Sequence, residues 1–418
     1  MESKDKGPLA GMRVIDIGTM VAGPVAATLM ADLGAEVIKI EQPRGGDALR
    51  HIGPMVEGES LWWNVEGRNK KSVTLDLHHP EGQRILKEMV KHADVLVENF
   101  RPGILDKWNL SWEHLKQVNP RLVMLSVSGY GQTGPYANRA GYDRIALAMG
   151  GTLNATGYPD RAPVKLGTAM ADYSTAVLGA FGAMVALYHR DVHGGAGQQI
   201  DLSLYETVFR FTDVMVTAYE KMGLPRERTG NLHFAAAPGD HFETCDGRYI
   251  VLTVSNDRMF GRLCEAIPVL VGDERFSSHV KRTAKVEEVN KIVAEWIKSL
   301  PVLEVCRILE EKGLAYSLIY SIKDIVADPH YQARGSIATV EHPQIGTLKM
   351  PAVQPRFSGT PSPQIRPAPA LGAHTDEVLR ELAGLSARQI AELRQAGTVG
   401  GDGVDEQHVS VTAAGAVA

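Results

Sequence analysis

Apolar and polar positions alternate through the N-terminal third of the chain in blocks of strand length and helix length. Arg13-Val-Ile-Asp-Ile-Gly18 is a short apolar run closed by glycine. Pro24 opens a helical stretch that Gly34 closes, proline suiting the first turn and glycine the C-terminal end. Glu36-Val-Ile-Lys-Ile-Glu41 predicts a second strand, and the β-α-β unit so formed favours a parallel sheet with right-handed crossovers. The rhythm continues with a strand over Ser72–Leu77 and an amphipathic helix from Pro80 to Ala93 that places Ile85, Leu86 and Met89 on one face. A strand over Asp94–Glu98, a short helix from Trp112 to Val118 capped by Ser111, and a strand over Arg121–Val127 follow. Gly129-Tyr-Gly-Gln-Thr-Gly-Pro135 must be loop.

The longest uncharged apolar stretch runs from Tyr173 to Tyr188. It falls short of the ~20 residues needed to span a bilayer and predicts a buried helix, over Tyr173–Leu187, in which Gly179 and Gly182 admit a close neighbour. Gly194-Gly195-Ala196-Gly197 then turns the chain into a strand over Gln199–Leu204. Beyond Glu220 the pattern changes. Asp246-Gly247 is a hairpin turn, and helices rich in Lys, Glu and Leu occupy about 257–312. A smaller α+β domain is expected at 225–325. Five prolines between Pro355 and Pro369 predict an extended crossing segment, a helix pair follows near 374–396, and the glycine-rich tail 397–418 is expected to be disordered.

Length and composition narrow the chemistry. A chain of 418 residues, 44 % apolar and 22 % charged, is globular and long enough for two or three domains. Its net charge of −5 gives nucleic acid no purchase. Cys245, Cys264 and Cys306 support neither a disulfide framework nor a zinc ribbon. Met1-Glu-Ser-Lys-Asp-Lys-Gly7 is too polar for a signal peptide, so a cytoplasmic protein without membrane attachment is expected. The first βα turn, Gly18-Thr-Met-Val-Ala-Gly23, lacks the G-x-G-x-x-G spacing of dinucleotide sites, and Gly67-Arg-Asn-Lys-Lys-Ser72 only echoes a Walker loop. Adjacent side chains such as His78-His79 point apart and share no ion, so no metal site is expected. No G-x-S-x-G elbow occurs.

Asp172 stands where the long apolar helix begins. It reads either as an N-terminal cap or as a nucleophile that the helix terminus keeps ionised, and the residues alone leave both open. Arg44, Arg50, Arg68, Lys70, Lys71, Arg101 and Lys107 are placed near strand ends, where several could meet a polyanion.

Several segments together resemble the class III CoA transferases of the formyl-CoA transferase and carnitine CoA-transferase type. They include Leu33-Gly-Ala-Glu-Val-Ile-Lys-Ile-Glu41, Gly45-Gly-Asp47, Arg68-Asn-Lys-Lys-Ser72 and Val97-Glu-Asn-Phe-Arg-Pro-Gly103. Ser128-Gly-Tyr-Gly-Gln-Thr-Gly-Pro135, Ala140-Gly-Tyr-Asp143, Ala171-Asp172 and Leu371-Gly-Ala-His-Thr375 continue the set in the family's order. The resemblance implies an α/β fold. A Rossmann-like doubly wound parallel sheet would form a large domain from residues 1–224 and 326–396, with the smaller domain inserted between them. It also implies a ring-shaped subunit in an interlocked dimer, a homodimer in most members.

Asp172 matches the family's catalytic aspartate, which is acylated by a donor thioester and then carries CoA as an aspartyl thioester. The chemistry has its own logic. A carboxylate is not converted directly to a thioester because hydroxide leaves poorly, whereas an anhydride provides a good leaving group and keeps the thioester's energy. The coenzyme A thioester is a substrate, and no permanently bound cofactor is implied. By the same resemblance Met20, Val21 and Ala22 lie near the pantetheine end of CoA, and Leu75, Asn99 and Phe100 line it. Lys107 stands where some members have arginine. Gln42 replaces an arginine of the formyl-CoA enzyme, which shifts contacts to Arg44. Ala140 replaces a lysine, with Arg139 beside it. The glycine loop over that enzyme's site is replaced by Val254-Ser-Asn-Asp257, which disfavours formate or oxalate. The chain looks most like members that use succinyl-CoA with dicarboxylic acceptors, whose second carboxylate calls for a cation; Arg210, Arg139 and His233 are the candidates. Two alternatives remain. One is a racemase on this scaffold, disfavoured because Tyr142 stands where the racemase has histidine and a phenol of pKa about 10 is a poor base. The other is a silent CoA-binding subunit of a heterodimer.

Overall fold

The computed structural model describes residues 6–232 and 235–400, and His233 lies outside the described residues. The chain divides into two compact units. One runs up to Gly150, resumes over Leu166–Thr212, and takes the described residues from Gly335 onward; the other takes Gly151–Lys165 and Asp213–Arg334.

The first unit is built on six strands: β1 (Arg13–Asp16), β2 (Glu36–Glu41), β3 (Lys71–Thr74), β4 (Val95–Glu98), β5 (Val123–Ser128) and β6 (Gln199–Ser203). All pair in parallel, in the order β3-β2-β1-β4-β5-β6. Val14, Ile15, Ile38, Val73, Val95, Leu96, Val97 and Val123 are sealed from solvent, as a parallel sheet covered on both faces requires. The helices of this unit include α1 (Ala22–Asp32), α2 (Leu61–Glu66), α3 (Pro80–Val90), α4 (Trp112–Val118), α5 (Asp143–Met149) and α6 (Met170–Val192). The strand order reverses between β1 and β4. In doubly wound sheets the crevice at the carboxyl ends of two such strands is where ligands settle.

At 23 residues α6 is longer at both ends than the expected Tyr173–Leu187. It is the one helix among the described residues long and apolar enough to cross a membrane by composition. Its buried face, with Ala171, Ala176, Gly179, Ala183 and Leu187, packs on α1 and the sheet. A Cβ on Gly179 would sit 2.9 Å from Leu125 Cδ2, so a larger residue there would push that side chain aside, whereas one on Gly182 would meet Ile200 at an ordinary 3.6 Å. The opposite face leaves Val177, Phe181, Val185, Tyr188 and Val192 exposed at spacings of three and four.

The second unit has a three-stranded antiparallel sheet, Tyr316–Leu318 and Gly239–Glu243 flanking Tyr249–Thr253, with Gly247 in the left-handed conformation its turn needs. Helices including Asp257–Ala266, Val286–Lys298 and Val302–Glu311 close over a core of Phe242, Ile250, Leu263, Phe276 and Val293. The unit is wider than 225–325. Gly230 donates to Gly157 O at 2.9 Å and Arg228 to Asn154 O at 2.9 Å, which binds residues 151–165 into it.

Two C-terminal helices, Thr375–Ala383 and Ala387–Gln395, share the core of α3 through Val378, Leu379 and Ile390. Residues 397–400, the first of the expected tail, are packed in the structure. Asp76 N donates to Thr398 O at 2.9 Å, Val399 is 2 % exposed, and Gly400 N donates to Thr74 Oγ1 at 2.9 Å. The remainder of that tail, 401–418, lies outside the described residues.

Candidate active site

The segment after β1 is held across the switch point by one side chain from β4's end. Thr19 N donates to Asn99 Oδ1 at 2.7 Å, and Asn99 Nδ2 donates to Thr19 O at 2.8 Å. Gly18 permits this, since a Cβ there would lie 3.1 Å from Asn99 Oδ1. Met20 follows in the left-handed region at φ 65°, and α1 starts at Ala22, two residues before the proline expected to open it. The N–H groups of Val21 and Ala22 meet no acceptor among the described residues, as the first turn of a helix dictates.

Beneath this loop lies a buried charge network. Lys39 is fully enclosed, pairs with Asp47 at 3.1 Å and Asp16 at 3.6 Å, and donates to Gly18 O. Burial alone would lower its pKa, but Asp16, Asp47 and Glu41 outweigh it and hold the ammonium above the usual lysine range. Burial likewise works to raise Glu41, yet Arg50 at 2.7 Å and Lys39 keep that carboxyl below its ordinary value.

Next to the loop, Gly18, Thr19, Gln42, Leu75, Phe100 and Trp108 line a cleft at the carboxyl edge. The Phe100 and Trp108 rings meet edge to face at 5.1 Å, and His78 meets Trp108 at 4.8 Å while lying 3.3 Å from Gln42 Nε2. Trp108 and His78 escaped the sequence reading; only their proximity in space reveals them. Arg44 and Lys107 are exposed and form no ion pair with the described residues. The basic residues expected near a polyanion are otherwise largely consumed. Arg50 pairs with Glu41, Arg68 with Asp32 at 2.6 Å, Lys70 with Asp16 at 3.0 Å, and Lys71 with Glu377 at 2.6 Å. Lys71 begins β3, so Arg68, Lys70 and Lys71 enter that strand from its amino end, not from the ligand edge. A hollow of about 520 Å³ at that amino edge lies among Arg13, Glu36, Lys71 and Arg366, and of the residues expected to meet a ligand only Lys71 lines it.

Asp172 sits in the first turn of α6, whose crossover from β5 to β6 starts at the carboxyl edge. It is not the cap. Ala169 is the N-cap residue, and the helix end is satisfied by Asp143 Oδ1, which accepts Ala171 N at 2.8 Å. The half-buried Asp172 carboxylate accepts no hydrogen bond from the described residues. Burial, and then the Asp143 charge, push it up to about 7. The expected support for its ionised form from the helix terminus is not seen, since no described residue donates to it. Tyr173 points away, its hydroxyl donating to Glu66 at 2.8 Å and accepting from Trp62 at 3.0 Å.

Among the remaining candidates, Arg139 lies over the Tyr136 ring at 3.7 Å and Tyr142, 52 % exposed, is the N-cap residue of α5. Arg210 is exposed at the end of the helix Leu204–Arg210. The structure therefore brings Met20, Val21, Ala22, Gln42, Leu75, Asn99 and Phe100 to one sheet edge.

Comparison with known proteins shows the family. The chain is 45 % identical over 394 residues to the succinyl-CoA–L-malate CoA-transferase beta subunit of Chloroflexus aurantiacus, covering 93 % of this chain and 97 % of that one. It is 42 % identical over 390 residues to the succinyl-CoA–D-citramalate CoA-transferase of the same organism, with the same coverage of 93 % and 97 %. The crystal structure of a CAIB/BAIF family protein from Brucella suis superposes with a TM-score of 0.81 at 34 % identity, covering 90 % of this chain and all of that one. The family model described as CoA-transferase family III matches residues 9–375, and the chain belongs to that family.

Proposed function

We propose that the chain moves CoA from succinyl-CoA to a dicarboxylic acid, with Asp172 as the transient acyl carrier. An Asp172 oxygen attacks the thioester carbonyl, the C–S bond breaks, and CoA thiolate leaves a succinyl–aspartyl anhydride. The thiolate then attacks the aspartyl carbonyl, expels succinate, and leaves an aspartyl–CoA thioester. The acceptor carboxylate attacks that carbonyl, thiolate departs again, and its attack on the new acyl group yields product and frees Asp172. Protons balance without a net donor. The observation that carries the reading is a carboxylate in the first turn of α6 that is half-buried yet unbonded by the described residues. Such a group is poorly solvated, so its ionised form is a stronger nucleophile than an exposed carboxylate.

In this reading Met20, Val21 and Ala22 meet the pantetheine arm, while Gln42, Arg44, Leu75, Asn99, Phe100 and Lys107 receive the nucleotide. Arg139 and Tyr142 join the CoA-binding set, and Arg210, Arg139 and His233 are offered to the acceptor's second carboxylate. The donor and acceptor classes are those named for the malate and citramalate relatives. The exposed apolar stripe of α6 suits burial against a second subunit in a cytoplasmic dimer, since a soluble chain rarely leaves such a stripe in water. The relative called a beta subunit supports a second reading of that partner, as a different chain rather than an identical one.

The decisive experiment is interception. Incubation with succinyl-CoA, trapping with hydroxylamine or borohydride, and peptide mass spectrometry should mark Asp172 alone. Turnover with no modification of that peptide would remove Asp172 from the role. Exchange against malate, citramalate, glutarate and related acids would then rank acceptors.

A further inference from the structure

We propose that Asp47 is a positioning residue that sets the backbone of Met20 for acyl transfer. The inference rests on the reading above, in which Met20, Val21 and Ala22 meet the reacting end of the substrate.

Asp47 is 3 % exposed and lies in the wall of the cleft, with its carboxylate oxygens turned to the loop and to Lys39. Its Oδ1 accepts Met20 N at 3.0 Å and Leu49 N at 2.9 Å, and its Oδ2 lies 3.1 Å from Lys39 Nζ. Asp47's own N–H donates to Glu41 Oε2 at 3.0 Å, so the carboxylate is fixed from three sides. The same Lys39 ammonium donates to Gly18 O, which ties two peptide units of the loop to one buried ion pair. Gly18 N donates to Asp16 Oδ1 at 3.0 Å and both backbone groups of Thr19 go to Asn99. Every backbone polar group from Gly18 N to Met20 N is therefore occupied, and the first free donors are Val21 and Ala22.

Met20 is not glycine, yet it holds φ 65°, a conformation that L side chains avoid unless the surroundings impose it. The Asp47 acceptor is the group that imposes it. Without that bond the peptide between Met20 and Val21 is free to turn, and the unbonded donors lose their direction. The geometry of the acceptor matters here, more than its charge.

Two conservative variants separate these effects. Asp47→Asn keeps an acceptor at Oδ1 and removes charge; Asp47→Glu keeps charge and displaces the acceptor by a methylene. The full-length protein is assayed for exchange of succinyl-CoA with labelled succinate, for CoA affinity, and for amide-hydrogen exchange of the peptide containing Met20. Asp47→Asn should keep kcat within about threefold of the parent. Asp47→Glu should lose roughly 10–100-fold in kcat, as small misplacements near reacting atoms do, with CoA affinity changed far less and with Met20 amide protection lost. A merely structural residue would lower Tm in either variant and leave kcat per folded enzyme alone. Asp47→Glu matching or exceeding Asp47→Asn in kcat would overturn the proposal. A parent protein inactive in exchange with every acid would instead remove the transferase reading, and the amide protection of Met20 would still judge whether Asp47 holds it.

Discussion

Asp143 Oδ1 accepts the Ala171 amide at 2.8 Å, so the carboxylate that caps α6 belongs to Asp143 and leaves Asp172 unbonded. The two acids divide the work of the helix end. One is spent on structure, and the other is kept poorly solvated.

Activity should therefore fall in mild acid. In the proposed reaction Asp172 would attack only as the anion, and its pKa is raised to about 7 by burial and by Asp143. The profile of kcat/KM should rise with pH through about 7 and then level. Asp143→Asn keeps an oxygen for Ala171 N but removes the charge, and should move that limb to lower pH. An unmoved limb would show that Asp143 does not act on Asp172.

Removing the charge should also strengthen the fold. An acid whose folded pKa is raised holds its proton more tightly when folded, so its penalty is absent at low pH and grows as pH rises from the ordinary 3.8 through about 7. Asp172→Asn should raise Tm at pH 8 more than at pH 5, while transfer falls by at least about 10³-fold. Calorimetry at the two pH values checks the sign.

Glu98 offers the same test at the end of β4, beside Asn99 and Phe100, and its readout is stability rather than turnover. It is fully buried at the end of β4, accepts Phe100 N at 2.9 Å, and is pushed by burial to about 7. Glu98→Gln retains the acceptor, so its stabilising effect should appear only as pH rises from 4.5 to about 7, by a fraction of the ~3 kcal/mol ceiling such a shift sets. Equal denaturation midpoints for the two proteins at pH 8 would contradict this.

The α6 stripe predicts association. Phe181, 63 % exposed, lies in its middle. Phe181→Glu should convert a dimer to a monomer in light scattering and abolish exchange with it, whereas a parent that elutes as a monomer would refute the apolar-stripe argument.

Much of the sheet was legible because its strands are short, mostly apolar runs between turn signals: the strand Glu36–Glu41 was read to the residue, and so was the helix Trp112–Val118. Ser111 is the N-cap residue of that helix, as expected, but its hydroxyl lies 2.8 Å from His114 Nδ1 instead of accepting a backbone N–H. Asp172 could be singled out by its place before an apolar helix, but its protonation could not, since that depends on Asp143, 29 residues earlier in the chain, and on burial. Met20's left-handed backbone, the Trp108–His78 contact and the seating of Val399 escaped for one reason. Each is fixed by a partner remote in sequence, and periodicity records only neighbours. Gly45-Gly-Asp47 was visible as a family segment, yet only coordinates connect it to Met20.

The Asn99–Thr19 ring has a consequence for how occupancy and folding inform one another. β1 and β4 lie side by side only after the chain has laid β2 and β3 on the far flank and returned. A coenzyme lodged over that seam would staple together two stretches of polypeptide made at different times. Saturating CoA should consequently slow the opening of the whole sheet, as any ligand confined to the native form does by mass action. Substrate supply would then govern how long the protein lasts as well as how fast it works.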